Sequence, residues 1–373
     1  MYPAVVRILV DYRPALRERT GVGGYIHQLV CAYTRTSRDE VVVFTSSWKD
    51  RPSAGVEAET GAQIVDRRVP VRLLNYLWHR LEWPPVELLA GRIDVAHSPH
   101  PLLTPTRRGA QVVTIHDLFF LAQPGQTVAE VRRDYARLAP GHARRAHAVV
   151  TSTQHGKQLV VEQLGVDAAR VYVCRPGAPA WHTLGRGPHL PEDGCILFLG
   201  TLEPRKNLGV VLDAYAQLLA RRADVPRLVV AGRATPLAAS WLRRMREAPL
   251  SSRVEYVGYV ADDAREALYR SARLLVMPSL DEGFGLPALE AMSAGIPVIA
   301  SSRGSLLEVV GDAGALIDPT DAAQLAAAIE RAVGDRTWAL HAAEAGLARA
   351  RTFTWDDAAR TLRRAYEEAL ARR

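Results

Sequence analysis

Lysine is nearly missing from this chain of 373 residues: Lys49, Lys157 and Lys206 stand alone among 47 basic residues. The net charge of +7 and the isoelectric point near 9.5 invite a nucleic-acid reading. Arginine, however, is spread over ordinary helix surfaces, as at Arg243-Arg244 and Arg363-Arg364, and forms no basic stripe. The excess suits small anionic partners or an acidic membrane surface better. Cysteine is equally scarce. Cys31, Cys174 and Cys195 are an odd, dispersed set, which excludes a disulfide framework and a zinc cluster and points to a reducing cytoplasm. No apolar run approaches the roughly 20 residues that span a bilayer. The opening stretch is broken by Arg7 and lacks a small-residue cleavage site, so it reads as a first strand, Val5–Val10, rather than a signal peptide. Repeats of solenoid length and low-complexity tails are lacking too.

What is present is the composition of a globular protein, 48% hydrophobic and 23% charged, with enough chain for two domains. Short β-type runs alternate with helical patterns. The first half carries Val5–Val10, Val41–Phe44, Asp94–His97, Val112–His116, Ala148–Thr151 and Val171–Cys174. The second carries Cys195–Leu199, Leu228–Ala231, Val254–Val257, Leu274–Met277, Val298–Ala300 and Ala315–Ile317. Continuous Val/Ile/Leu runs without polar alternation are strands covered on both faces. The Gly/Pro-rich stretch from Arg175 to Gly194 is the natural linker. The expected fold is α/β: two Rossmann-like, doubly wound parallel-sheet domains facing a central cleft, residues 1–178 and 190–354. In such sheets ligands bind beyond the carboxyl ends of the strands.

Two stretches carry chemistry. Residues 278–298 follow a buried strand with a loop containing Gly283 and Gly285, then a helix with Pro287 in its first turn and Gly295 as its stop. Loop glycines and a helix N-terminus can cradle a phosphate, with Glu282 and Glu290 on either side to take sugar or ribose hydroxyls. Residues 200–208 follow another strand and place the adjacent cations Arg205 and Lys206 at its end, as a diphosphate requires.

These residues resemble the retaining GT-B glycosyltransferases of the large family 4, mannosyltransferase-like members included. The likeness covers Gly200–Leu208, Val257–Val260, Met277–Val298 with its Glu282-x7-Glu290 spacing, Glu308–Gly314 and Phe353–Trp355. The resemblance implies that Arg205 and Lys206 bind the donor diphosphate and that Glu282 holds hydroxyls of the transferred sugar. The backbone of Gly283, Phe284, Gly285 and Leu286 would touch sugar and phosphate, and Gly200 would lie beside them. Glu290 would hold the ribose, and Tyr259 and Val260 would frame the base. It also implies that the final helix, 355–373, packs back on the first domain. The first half matches more loosely. Thr20 to Tyr25, with Gly23 and Gly24, resembles the family's glycine-rich loop. His116 and Asp117, after a strand, resemble its active-site His-Asp segment, with His116 facing the transferred sugar or the acceptor. His97 and His100 are placed on the acceptor side, and Arg13 and Tyr25 near the cleft. Asp-x-Asp, the metal-holding motif of other sugar-transfer folds, is absent, so neither metal nor cofactor is expected beyond the nucleotide sugar.

The implied reaction is retaining, front-face transfer of a hexose to a glycan or lipid-linked glycan. Gly200–Asn207 leans toward GDP-mannose, with a UDP-glucose-type donor or a sugar-nucleotide epimerase as alternatives. The Trp- and Leu-rich, Arg-flanked segment 72–83 reads either as packed core or as a membrane-interface element. The second reading would place a cytoplasmic protein at the inner face of the membrane.

Overall fold

A computed structural model describes residues 5–16, 21–123, 125 and 134–373; Thr20 lies outside the described residues. The chain divides into two compact units, residues 1–177 with 354–373, and Ala178–Phe353. Residues 178–190 are thus part of the second unit rather than a free linker. The indole of Trp181 donates to Ser293 Oγ at 2.7 Å, and the Glu266 carboxylate accepts from the backbone of His182 and Thr183.

The first unit is built on seven strands among the described residues: β1 (Arg7–Asp11), β2 (Glu40–Thr45), β3 (Gln63–Asp66), β4 (Val95–Ser98), β5 (Ala110–Thr114), β6 (Ala148–Thr151) and β7 (Val171–Val173). All neighbours are parallel, in the order β3-β2-β1-β4-β5-β6-β7. Every residue of β4 and β6 is buried, as double-sided helix cover demands. Strand β3 was not expected; this short edge strand is only half-buried and carries little hydrophobic signal. The expected strand Val112–His116 ends at Thr114, which leaves His116 in the turn beyond. The helix Val22–Thr36 buries Tyr25, Ile26, Leu29, Val30 and Tyr33. Its core also contains Leu362, Ala365 and Tyr366 of the last helix, Trp355–Ala371.

The second unit repeats the plan with β8 (Cys195–Leu199), β9 (Leu228–Ala231), β10 (Val254–Gly258), β11 (Ala272–Met277), β12 (Val298–Ser301) and β13 (Ala315–Ile317). The order is β10-β9-β8-β11-β12-β13, again all parallel. In each sheet the winding reverses once, between β1 and β4 in the first and between β8 and β11 in the second. Such switch points leave a crevice at the carboxyl edge.

Candidate active site

In the second unit both chemistry-bearing loops leave the strands that flank the switch point. After β8 the backbone passes Gly200 and makes a short 3-10 turn, Pro204–Lys206. It then enters the helix Leu208–Arg221 through Asn207, left-handed at φ 61°. The Asn207 amide donates to the Pro278 and Pro319 carbonyls at 3.1 and 2.6 Å. That ties this turn to the loop after β11. The Leu280 amide donates to the Arg205 carbonyl at 2.7 Å. Glycine is obligatory at 232, where a Cβ would sit 1.9 Å from the Gly200 carbonyl oxygen; the edge of the sheet closes only because that atom is missing.

The two loops meet at Glu282. Its side chain forms an ion pair with Lys206, accepts from Ser279 Oγ at 2.7 Å and lies 3.2 Å from Arg205 Nη1. Glu282 and Lys206 are both almost fully buried. Burial alone would raise the Glu282 carboxyl; the Lys206 and Arg205 charges, with the Lys206 and Ser279 hydrogen bonds, overcome it and hold the group below its ordinary value. Arg205 also pairs with Glu203 at 3.0 Å.

Gly285 then opens the helix Leu286–Ser293 at φ 101°, with Leu306 against the space a Cβ would need. Phe284 turns its ring into the core against Phe353, centroids 5.8 Å apart, so Gly283 to Leu286 offer a ligand their backbone. Glu290, on that helix, accepts from Arg265 Nη1 at 2.6 Å and from the Tyr269 hydroxyl at 2.7 Å. At the ends of β9 and β10, the Arg233 guanidinium stands 5.6 Å from the Tyr259 ring centroid. Tyr259 is exposed and Val260 half-buried. Ser279, Arg265 and Tyr269 escaped sequence reasoning. Ser279 lies within residues 278–298, and Arg265 with Tyr269 at i, i+4 on one helix was the available signal for the others.

In the first unit the glycine-rich stretch is not a loop. Gly21 caps the helix at φ 56°, and Gly23 and Gly24 sit in its first turn, where small residues let a neighbour approach the amides. His116 donates from Nε2 to the Pro99 carbonyl at 3.3 Å and packs edge-on against Tyr25; burial lowers its pKa. The Asp117 carboxylate accepts from the Phe119 amide at 3.2 Å. His97 does not line an acceptor pocket. It is buried, bonded through Nδ1 to the Tyr366 hydroxyl at 2.7 Å and through Nε2 to Thr114 Oγ1 at 2.8 Å, because its side chain falls on the covered face of β4. Tyr25 is likewise core, 3% exposed. His100 and Arg13 converge on Asp11 instead.

Two doubly wound, all-parallel units of seven and six described strands are the fold of the GT-B class of glycosyltransferases. The chain belongs to the group 1 glycosyltransferases: residues 186–349 match "Glycosyl transferases group 1" and residues 19–180 match "Glycosyltransferase Family 4". It is 32% identical over 274 residues to O-antigen chain mannosyltransferase B of Escherichia coli, covering 70% of this chain and 71% of that one. Among solved structures, sucrose-phosphate synthase of Thermosynechococcus elongatus superposes with a TM-score of 0.76 at 22% identity, over 99% of this chain and 100% of that one. HepE of Anabaena, in complex with UDP and glucose, gives 0.70 at 19% identity, over 96% and 98%. No helix among the described residues is long and apolar enough to cross a membrane.

Proposed function

We propose that this glycosyltransferase moves a hexose from a nucleotide diphosphate sugar, GDP-mannose before a UDP hexose, to a glycan or lipid-linked glycan acceptor, with retention and without a metal. The carrying observation is the Lys206–Glu282–Arg205 cluster at the second switch point. Two cations held against one buried carboxylate are a site prepared for a diphosphate, with the carboxylate kept for the sugar. The likeness to the mannosyltransferase of E. coli supports mannose; the HepE complex keeps UDP-glucose as the alternative.

In this reading the acceptor oxygen bonds to the anomeric carbon on the face the diphosphate leaves. The carbon–oxygen bond to phosphate breaks with its electron pair on the diphosphate, and a departing phosphate oxygen takes the acceptor proton. Arg205, Lys206 and the Leu286–Ser293 helix end stabilise the charge as it builds. Glu282, released from its cations by the phosphates, orients sugar hydroxyls. Glu290 takes the ribose, while Tyr259 and Val260 frame the base. His116, oriented with Asp117 in the first unit, is assigned to the sugar or acceptor. A melting-temperature screen of GDP, UDP, ADP and their sugars tests this. One nucleotide stabilises the protein and its sugar serves as donor; if no nucleotide shifts the melting point, the reading is wrong. Turnover of a UDP sugar with no acceptor and no nucleotide release identifies an epimerase instead.

We further infer peripheral contact with an anionic membrane. The exposed side of segment 72–83 supports this: Leu74 and Trp78 are buried, whereas Leu73, Tyr76, Leu81 and Trp83 are 50–60% exposed beside Arg72 and Arg80. Co-sedimentation with phosphatidylglycerol vesicles, lost in Trp83→Ser with Tyr76→Ser, tests it; equal recovery with neutral vesicles refutes the charge component.

A further inference from the structure

The first unit has its own crevice at the β1/β4 switch point, an open cavity of about 470 Å³, within the size range of small-molecule sites. Asp11, at the end of β1, is wholly buried. It accepts from Arg13 Nε at 2.8 Å and Nη2 at 2.6 Å, and from His100 Nε2 at 3.1 Å. Burial would raise this carboxyl, but Arg13 and His100 hold it well below its usual range. Arg13 is spent in doing so. Its Nη1 donates to Asn75 Oδ1 at 2.7 Å, and its Cζ stands 4.9 Å from the Trp78 ring centroid. The fork that would grip a phosphate is therefore closed on the protein's own groups.

His79 lines the same cavity and is 8% exposed. Burial pushes its pKa down to about 4. Its Nδ1 makes no hydrogen bond, and the Asp134 carboxylate is 3.8 Å away. A neutral imidazole offers one donor and one acceptor, the complement of a hydroxyl, which is also both; a phosphate at neutral pH only accepts. The rings of His100 and Tyr135 lie nearly parallel, 20° apart with centroids 6.3 Å apart, a wall for the apolar face of a sugar. Asp50 and Arg72 add one charge of each sign to the lining.

We propose that this cavity binds an uncharged sugar residue of the acceptor through its hydroxyls and discriminates against a phosphorylated one. The proposal rests on the transferase reading above and names the acceptor class it left open. The test is saturation-transfer NMR on the whole chain without donor. The probes are the methyl glycosides of mannose, glucose, galactose and N-acetylglucosamine and their 6-phosphates. At least one neutral glycoside takes up saturation, and its 6-phosphate takes up roughly fivefold less or worse. Asn75→Ala, at a half-buried position, reduces the signal by a similar factor. Glu282→Ala leaves it unchanged. Four outcomes overturn the proposal: silence from every glycoside, a 6-phosphate that binds as well, a signal indifferent to Asn75→Ala, or one lost with Glu282→Ala. Nucleotide stabilisation in the melting screen is independent of all four, so a failure here is separable from a failure of the transferase reading.

Discussion

At the second unit's switch point the buried carboxyls face cations: Glu282 against Lys206 and Arg205, and Glu290 against Arg265. At the first unit's switch point one carboxylate, Asp11, is neutralised by Arg13 and His100, and the remaining buried ring, His79, is uncharged. The histidines with lowered pKa, His79, His97, His116, His142 and His147, all belong to the first unit. One topology thus carries two solvents: a polarised edge suited to an anionic leaving group, and a neutral hydrogen-bonding edge suited to hydroxyls.

Acid should separate the two most strongly. Burial holds His79 and His142 near 4 and His97 near 3, from 6.5 in an unfolded chain. Below 6.5 the unfolded state binds protons that the folded state refuses. Stability is therefore lost as pH falls from 6.5 toward 4, at pH 5 by on the order of 2 kcal/mol for each of the three. Glu282 responds to acid in the same direction but in a lower window: its folded value is depressed, so its contribution persists until pH falls below the ordinary 4.5. Between pH 6.5 and 4.5 calorimetry should show the first unit's transition moving down by roughly 12–25 °C, with hydrogen exchange assigning it. Equal movement of both transitions would break the comparison.

Charge deletion comes next. Lys206→Ala and Glu282→Ala are each expected to cut transfer about 10²–10³-fold, some 3–4 kcal/mol of transition-state stabilisation. The neutral glycoside signal of the first unit should be unaffected. Transfer that survives either change removes the second unit's claim to the chemistry.

The matching deletion in the first unit is structural. His97→Leu orphans the Tyr366 and Thr114 hydroxyls, for an expected loss of about 2–3 kcal/mol. Denaturant melting would show it, while nucleotide affinity should hold.

The same contrast explains what the sequence made legible. The second unit's cation–carboxylate cluster comes from two contiguous segments, 200–208 and 278–290, as the proposed diphosphate site, a strand end, a tight turn and a helix start in succession, would require. Its residue types and spacing stay together on the chain. The first unit's cavity draws Asp11, the pair Asn75 and His79, His100 and Tyr135 from four separate places, and no local spacing encodes that convergence. His97 was misplaced for a related reason: alternation along a four-residue strand buried on both sides does not say which face a side chain takes. Apolar β-type runs announced every strand of the second sheet, the largely exposed edge strand Val254–Gly258 included, whereas Gln63–Asp66 at the first sheet's edge had too little apolar content to be seen.

The finest contrast lies within the second unit. Glu290 is buried and depends on Arg265 and Tyr269 for its orientation. Arg265→Ala removes one of those two holds and leaves the other, so the carboxylate stays in place with more freedom and one uncompensated charge. If Glu290 grips the ribose, the consequence falls on binding alone. Nucleotide affinity and donor KM should worsen roughly tenfold, about 1.4 kcal/mol, with kcat nearly constant, since the ribose is remote from the breaking bond. Arg265→Lys should recover part of the affinity because a cation returns, but not the planar fork. A fall in kcat with KM unchanged would instead place Glu290 with Glu282 at the reacting sugar, and the second unit's edge would then be one continuous catalytic field rather than a binding half and a reacting half.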